Sequence, residues 1–277
     1  MASPVKPAII EDRRVNHRMT IVDQGDQGVA ENDIPIAGDS LAIARYGTSS
    51  ADPDLRDIGL GPLSFSWQAG ALRWLRYGDI EIVRGIAAVL RDPQWGTFAP
   101  IVDDDWIAFS EDDATLTQTF HLPSGKGAEP CLHGQLRVAA SVRQVTVTLM
   151  LEANASFPTA RSGLSVLLPL RGIVGAPVKV THTNGRSEAD RFPRLISPSQ
   201  PLFDIRRLEF SPTHDVTLRI DFDGDVFEME DQRNWSDASF KIYNRPLAWP
   251  TPYVLKAGDR IMQQVTVLLL DRDGGSP

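Results

Sequence analysis

One cysteine, Cys131, occurs in 277 residues, which excludes an internal disulfide and any thiolate metal framework of the CxxC kind. Nothing local marks that thiol as activated, so a buried, inert role is expected for it. Long apolar runs are missing as well. No stretch approaches the ~20 residues that a membrane helix needs, and the start, Met-Ala-Ser-Pro-Val-Lys-Pro, has no apolar segment of signal-peptide type. A soluble, cytoplasmic protein without a membrane partner is expected. Positive charge is scarce: Lys and Arg number 28 against 36 Asp and Glu, a net charge of −8. Without clustered cations, nucleic acid is excluded as a partner. The five histidines, His17, His121, His133, His182 and His214, show no HxH or HxxxH spacing, so no metal site is expected from sequence neighbours. A Gly-x-Ser-x-Gly elbow, a phosphate-cradling Gly-rich loop and a dinucleotide fingerprint are absent too. Acyl-serine, phosphoryl-transfer and hydride chemistry are disfavoured, and no cofactor is expected.

What is present is a two-residue side-chain period, with helical periodicity almost lacking. Residues 1–38 are polar and irregular and read as a flexible N-terminal arm, followed by a single β domain over 39–277. Short β-type runs fill that domain: 62–68, 71–77, 79–90, 106–110, 115–122, 134–141, 143–153, 163–170, 177–183, 205–210, 215–222, 225–230 and 262–271. Val145, Val147, Leu149 and Leu151 alternate with Thr146, Thr148 and Met150 in the expected manner. Asn184-Gly185 and Asp223-Gly224 predict hairpins, because both central residues tolerate positive φ. So many strands in one chain predict an all-β, large antiparallel two-sheet sandwich. Asp103-Asp104-Asp105 reads as a solvated loop, and Asp221, Asp223 and Asp225 as a hairpin turn without metal, since an EF-hand spacing is lacking.

Residues 226–241 carry the densest chemistry. Alternation puts Glu228 and Glu230 on one face and Phe227 and Met229 on the other. Two carboxylates that close raise at least one pKa unless a cation intervenes, and Arg233 and Lys241 are the candidates. The stretch also reads as a salt-bridged edge strand. A polar ligand site is the sharper reading, because Asp231, Asn234, Trp235 and Asp237 lie within it. Sugar ligands want a flat aromatic for their C–H face, carboxylates and amides for hydroxyls, and an Arg for a carboxylate. In a hydrolysis, Glu228 or Glu230 would activate water while Arg233 or Lys241 stabilises the oxyanion. The same groups suit an epimerase-type proton transfer or an elimination. Arg84 interrupts the apolar run EIVRGIAAVL and is expected to pair with the acids of 228–231 and to line the same concave site. Arg91 and Trp95 of RDPQWGT either line that cleft or brace a corner. His182, beside the Asn-Gly turn, is a further acid-base candidate, or a plain strand-end histidine.

The stretch FEMEDQRNWSDASFK, with RDPQWGT at 91–97, SGLSVLLPL at 162–170 and RFPRLISPSQPLFDIR at 191–206, resembles the amino-terminal domain of the bacterial D-apionate lactonase family over roughly residues 40–270. The resemblance implies a galactose-mutarotase-like super-sandwich and a sugar lactone, or related sugar derivative, as substrate. Full-length members continue into a (β/α) barrel and a small β domain, and this chain ends where the barrel would begin. The expected function is therefore lactone hydrolysis or carboxylate-driven proton transfer on a sugar. The alternative is a non-catalytic sugar-binding or scaffold subunit that pairs with a separately encoded barrel enzyme. A homo-oligomer is a further possible assembly. The family pattern carries an Asn-Arg pair and a His-Pro where this chain has Ala160-Arg161 and Leu168-Pro169.

Overall fold

The computed structural model describes residues 53–124 and 130–270, together with the isolated positions 43, 44, 47 and 49. The chain divides into two units, Met1–Pro53 and Asp54–Pro277. The expected arm over 1–38 lies outside the described residues. In the first unit Ile43 and Ala44 are helical, and Gly47 N–H donates to the Ile43 carbonyl at 2.8 Å.

Among the described residues of the second unit the regular structure is almost wholly strand. A first meander comprises β1 (Arg56–Leu60), β2 (Leu63–Gln68), β3 (Ala71–Tyr77) and β4 (Ile80–Arg91). A second comprises β5 (Ile101–Phe109), β6 (Asp113–Pro123), β7 (Pro130–Ser141) and β8 (Gln144–Ala153). After the short β9 (Phe157–Thr159) come β10 (Arg161–Pro169), the hairpin of β11 (Pro177–His182) with β12 (Ser187–Arg191), β13 (Leu202–Thr213) and β14 (Val216–Asp223). The chain finishes with β15 (Phe227–Asp231), β16 (Ser239–Tyr243), β17 (Tyr253–Leu255) and β18 (Arg260–Leu270). Hydrogen bonding runs along one curled path, β1-β2-β3-β4-β10-β16-β15-β13-β14-β18-β8-β7-β6-β5, and β9 pairs with β17 separately. The path folds over on itself to make the two layers of a super-sandwich. Its ends approach through an ion pair between Arg56 of β1 and Asp105 of β5.

Period-2 alternation decides what fills the space between the layers. Val145, Val147, Leu149 and Leu151 of β8 are buried while Met150 is exposed. Trp67, Phe222, Phe227, Met229, Phe240 and Ile242 are fully buried in the same core. Each such side chain stabilises the fold by about 1.5–3 kcal/mol of transfer free energy. Cys131 is half-buried, and its thiol donates to the Leu122 carbonyl at 3.5 Å. Burial pushes the thiol pKa up.

Asn184-Gly185 forms the expected turn: β11 and β12 pair, and Gly185 has φ 83°. Asp223-Gly224 does not make a hairpin. β13 lies between β14 and β15, so the turn carries the chain across a strand rather than back along one. A Cβ at Gly224 would collide with the Met262 carbonyl, so the glycine serves the close passage over β18. Asp103–Asp105 also departs from expectation, since it lies within β5 instead of a loop. Asp104 and Asp105 pair with Thr119 and Gln118 of β6 past an irregularity at Asp103, His121 Nδ1 lies 2.6 Å from Asp103, and Gln118 Nε2 donates to Asp105 at 3.2 Å.

Candidate functional site: a cleft on the outer face of β10, β15 and β16

Four strands in the order β4-β10-β16-β15 present one face away from the core. Cross-strand register aligns Gly85, Leu167, Lys241 and Glu230 in one row, and Ala87, Ser165, Tyr243 and Glu228 in the next. Arg161 opposes Arg91 at the end of the β4–β10 pair. Residues on the alternate positions, Ile86, Val166, Ile242 and Met229, are buried in the core. The polar row and the apolar row are thus two faces of the same strands.

Glu230 accepts a hydrogen bond from Trp235 Nε1 at 2.8 Å, and Lys241 Nζ lies 3.6 Å from its other oxygen. Burial lowers the Lys241 pKa; Glu230 opposes that effect, and the cations Arg161 and Arg91 add to it. Glu228 is buried, and its Oε1 accepts from the Tyr243 hydroxyl at 2.7 Å and from Leu247 N–H at 2.8 Å. It ties β16 to the segment that follows it. Burial and the Glu228 bond raise the Tyr243 pKa well above the usual phenol range. Arg161 is buried with its guanidinium 3.8 Å from the centre of the Tyr243 ring and 5.3 Å from that of Trp95.

Trp95 is held out by a tight loop. Asp92 Oδ1 accepts from Gln94 and Gly96 N–H, both at 2.8 Å, and Trp95 N–H donates to the Asp92 carbonyl at 3.0 Å. Trp95 itself has φ 69°, the left-handed region that non-glycine residues enter reluctantly. Arg91 donates to the Trp95 carbonyl at 3.3 Å and to Thr97 Oγ1, fixing the loop on the strand end. Trp95, Arg161, Glu230, Gln232, Trp235, Lys241 and Leu247 line an open cleft of about 370 Å³. Trp235 is 71 % exposed and forms an open wall.

Of the residues singled out in the sequence, Glu230, Lys241, Trp235 and Trp95 share this cleft, with Arg91 at its edge and Glu228 beneath it. The others lie elsewhere. Asp231 is fully buried on the opposite side of β15; Arg233 donates to it from Nε at 2.8 Å and from Nη2 at 2.7 Å. Arg233 also donates to the carbonyls of Pro193, Arg194 and Leu195, and Asp231 accepts from Ser197 N–H at 2.9 Å. Asn234 donates to the Ser197 and Asp231 carbonyls. These three residues clamp the 193–199 segment. Asp237 accepts from Ser239 Oγ at 3.1 Å. Arg84 does not pair with the acids of 228–231: its Nε donates to Glu81 at 3.1 Å and its Nη1 to the Ala238 carbonyl at 2.7 Å. It lies just beyond the last β4–β10 register pair, Gly85–Leu167, and is held to its own strand and to the loop before β16. His182 lies on β11, 3.2 Å from Glu188 and from the Asp204 carbonyl, and lines a separate depression with Arg186 and Phe203.

Arg161, Gln232 and Leu247 complete the cleft, with Tyr243 buried beneath Arg161, and none of the four was singled out for it. Arg161 had a legible signal, since it is a cation at the head of a largely apolar strand. Among the described residues no group of three or more His, Cys, Asp or Glu side chains is placed to hold a metal ion.

The model of a family described as the N-terminal domain of D-apionate lactonase matches residues 43–272. D-apionate lactonase of Brucella anthropi is 34 % identical over 227 residues, 82 % of this chain but 37 % of that protein. Among solved structures, the Slr1438 protein of Synechocystis sp. PCC 6803 shares the fold at 11 % identity, with a TM-score of 0.52 over 79 % of this chain and 98 % of that one. A galactose mutarotase-like protein from Lactobacillus casei aligns at 14 % identity and a TM-score of 0.46, covering 78 % of this chain and all of that one (100 %). By the extent of the family match and the identity to the Brucella protein, this chain belongs to the D-apionate lactonase N-terminal domain family.

Proposed function

We propose that this sandwich is a carbohydrate-active unit whose cleft takes a sugar lactone, or a related sugar derivative, and opens it by hydrolysis. The observation that carries the reading is the convergence of Glu230, Lys241 and Arg161 between two tryptophans in one cleft of about 370 Å³. Trp95 and Trp235 offer flat apolar surface for the C–H face of a sugar ring. Glu230, half-buried, is the general base: it takes a proton from water as the water oxygen bonds to the lactone carbonyl carbon. Lys241 and Arg161 stabilise the oxyanion that forms, as fixed donors in a partly desolvated site. The ring C–O bond then breaks, and the leaving alkoxide is protonated by Glu230 or by the Lys241 ammonium, whose lowered pKa suits it to donate. Glu228 acts through Tyr243, as a positioning residue. A carboxylate and an ammonium in this arrangement also suit epimerase-type proton transfer, which proton release does not register and product stereochemistry does.

The relation to D-apionate lactonase supports a lactone substrate. A second reading is favoured by coverage, since the chain spans 37 % of the length of that relative: the cleft is then a sugar-binding surface of a scaffold subunit that pairs with a separate barrel enzyme. Proton release from aldonolactones, apionolactone among them, separates the two. Turnover that falls about 10²–10⁴-fold in Glu230→Gln, with binding retained, supports catalysis in the cleft. No turnover of any lactone, with tight association to a separate barrel protein, supports the scaffold.

A further inference from the structure

Among the described residues Arg161 is a buried cation without an anion. Its side chain is 6 % exposed, it takes part in no salt bridge, and its Nε has no hydrogen-bond partner. Burial lowers its pKa, opposed by Tyr243 and then by the charges of Glu230 and Glu228 at longer range. An isolated guanidinium in such surroundings is costly unless something pairs with it. The group is nonetheless held still, stacked on Tyr243, whose hydroxyl is fixed by Glu228. Arg91, directly opposite, is turned to the Trp95 carbonyl and Thr97, and Lys241 is turned to Glu230. Of the charged groups that line the cleft, two are cations, Arg161 and Lys241, and one is a carboxylate, Glu230, which leaves one positive charge over on a chain whose net charge is −8.

We propose that Arg161 is the carboxylate anchor of the cleft, and that the preferred ligand is a sugar acid in its ionised form. A planar carboxylate matches the guanidinium fork with two parallel hydrogen bonds, and its single charge is the one the cleft leaves unbalanced. Held there, the acid directs its hydroxyls toward Glu230 and its C–H face toward Trp95. The inference rests on the cleft being a sugar site, and goes beyond that reading by naming the open acid rather than the neutral lactone as the tighter ligand. If a lactone opens in this cleft, its own product is then an inhibitor.

The test measures binding of the full chain to D-xylonate against xylitol, and to D-gluconate against sorbitol, by calorimetry. Each pair compares an acid with its neutral alditol. The acids are expected to bind about tenfold or more tightly than the alditols, with the difference shrinking as salt rises. Arg161→Gln is expected to abolish the preference, and Arg161→Lys to keep part of it. Equal binding of acid and alditol, binding of neither, or a preference that survives in folded Arg161→Gln overturns the anchor. The wild-type comparison decides the matter even if the variant does not fold. Lactone turnover without acid preference overturns the anchor and leaves the hydrolysis reading. Acid preference without turnover supports the anchor and counts against hydrolysis.

Discussion

Replacing Asp231 by Ala should unfold the protein more readily while leaving the cleft's own groups in place. The Asp231 carboxylate is fully buried and accepts a two-pronged pair from Arg233 at 2.8 and 2.7 Å, with backbone bonds from Ser197 at 2.9 Å and Arg233 at 3.1 Å. Removing one partner of a buried ion pair costs about 3–5 kcal/mol, because the other charge is left uncompensated. Arg233 retains the carbonyls of Pro193, Arg194 and Leu195, so the loss should fall near the lower end, about 3 kcal/mol. Urea denaturation followed by tryptophan fluorescence measures it as a lower midpoint at unchanged slope. A cycle with Arg233→Met should return a coupling energy above about 1 kcal/mol. A loss below about 1 kcal/mol, or additive single effects, would refute the clamp and return both residues to the list of ligand contacts.

The same carboxylate predicts an acid limb. Burial alone would raise its pKa, but the bonds from Arg233 and the two backbone N–H groups hold it below the usual range. Because the folded value is depressed, its contribution is present above about pH 4 and is lost as pH falls through the folded pKa; Asp231→Asn should flatten stability over that window. Trp235→Ala should change stability by about 0.5 kcal/mol or less, since the ring is 71 % exposed, while weakening sugar binding; a loss of about 3–5 kcal/mol would mark it as a core residue instead. Gly163→Ala should lower stability by about 1–3 kcal/mol in a thermal melt, because a Cβ there would run into the Asn244 side chain. Lys241, followed by NMR of its methylated amine, should titrate below an ordinary lysine, and Glu230→Gln should push it lower still, since the carboxylate is the chief group opposing burial there.

Local chemistry was legible in the sequence and long-range pairing was not. Alternation placed Phe227 and Met229 in the core and Glu228 and Glu230 opposite them, because side-chain direction follows from the strand alone. The Asn184-Gly185 hairpin is equally local. Asp223-Gly224 has the same turn chemistry, yet its outcome depends on β13 inserting between the strands it joins. β16 went unseen because Ser-Phe-Lys-Ile-Tyr is short and follows a polar loop. Asp231 and Arg233 have the composition of a binding site and that of a clamp alike. What separates them is the 3₁₀ turn Gln232–Trp235, which folds Arg233 back over Asp231. Arg161 matters through Tyr243, 82 residues further along the sequence. No window on the sequence shows that contact.

The alternation in the β15–β16 hairpin bears on how the molecule reaches its native state. A slip of one residue in either strand would carry Glu228 and Glu230, or Lys241 and Tyr243, into the space now filled by Met229, Phe240 and Ile242. Desolvating the charges of Glu228, Glu230 or Lys241 without partners is prohibitive, so only one frame of pairing can close over the hydrophobic layer. The groups that line the cleft therefore act as a proofreader of folding: a chain that has docked this hairpin has, in the same event, assembled the Glu230–Lys241 pair.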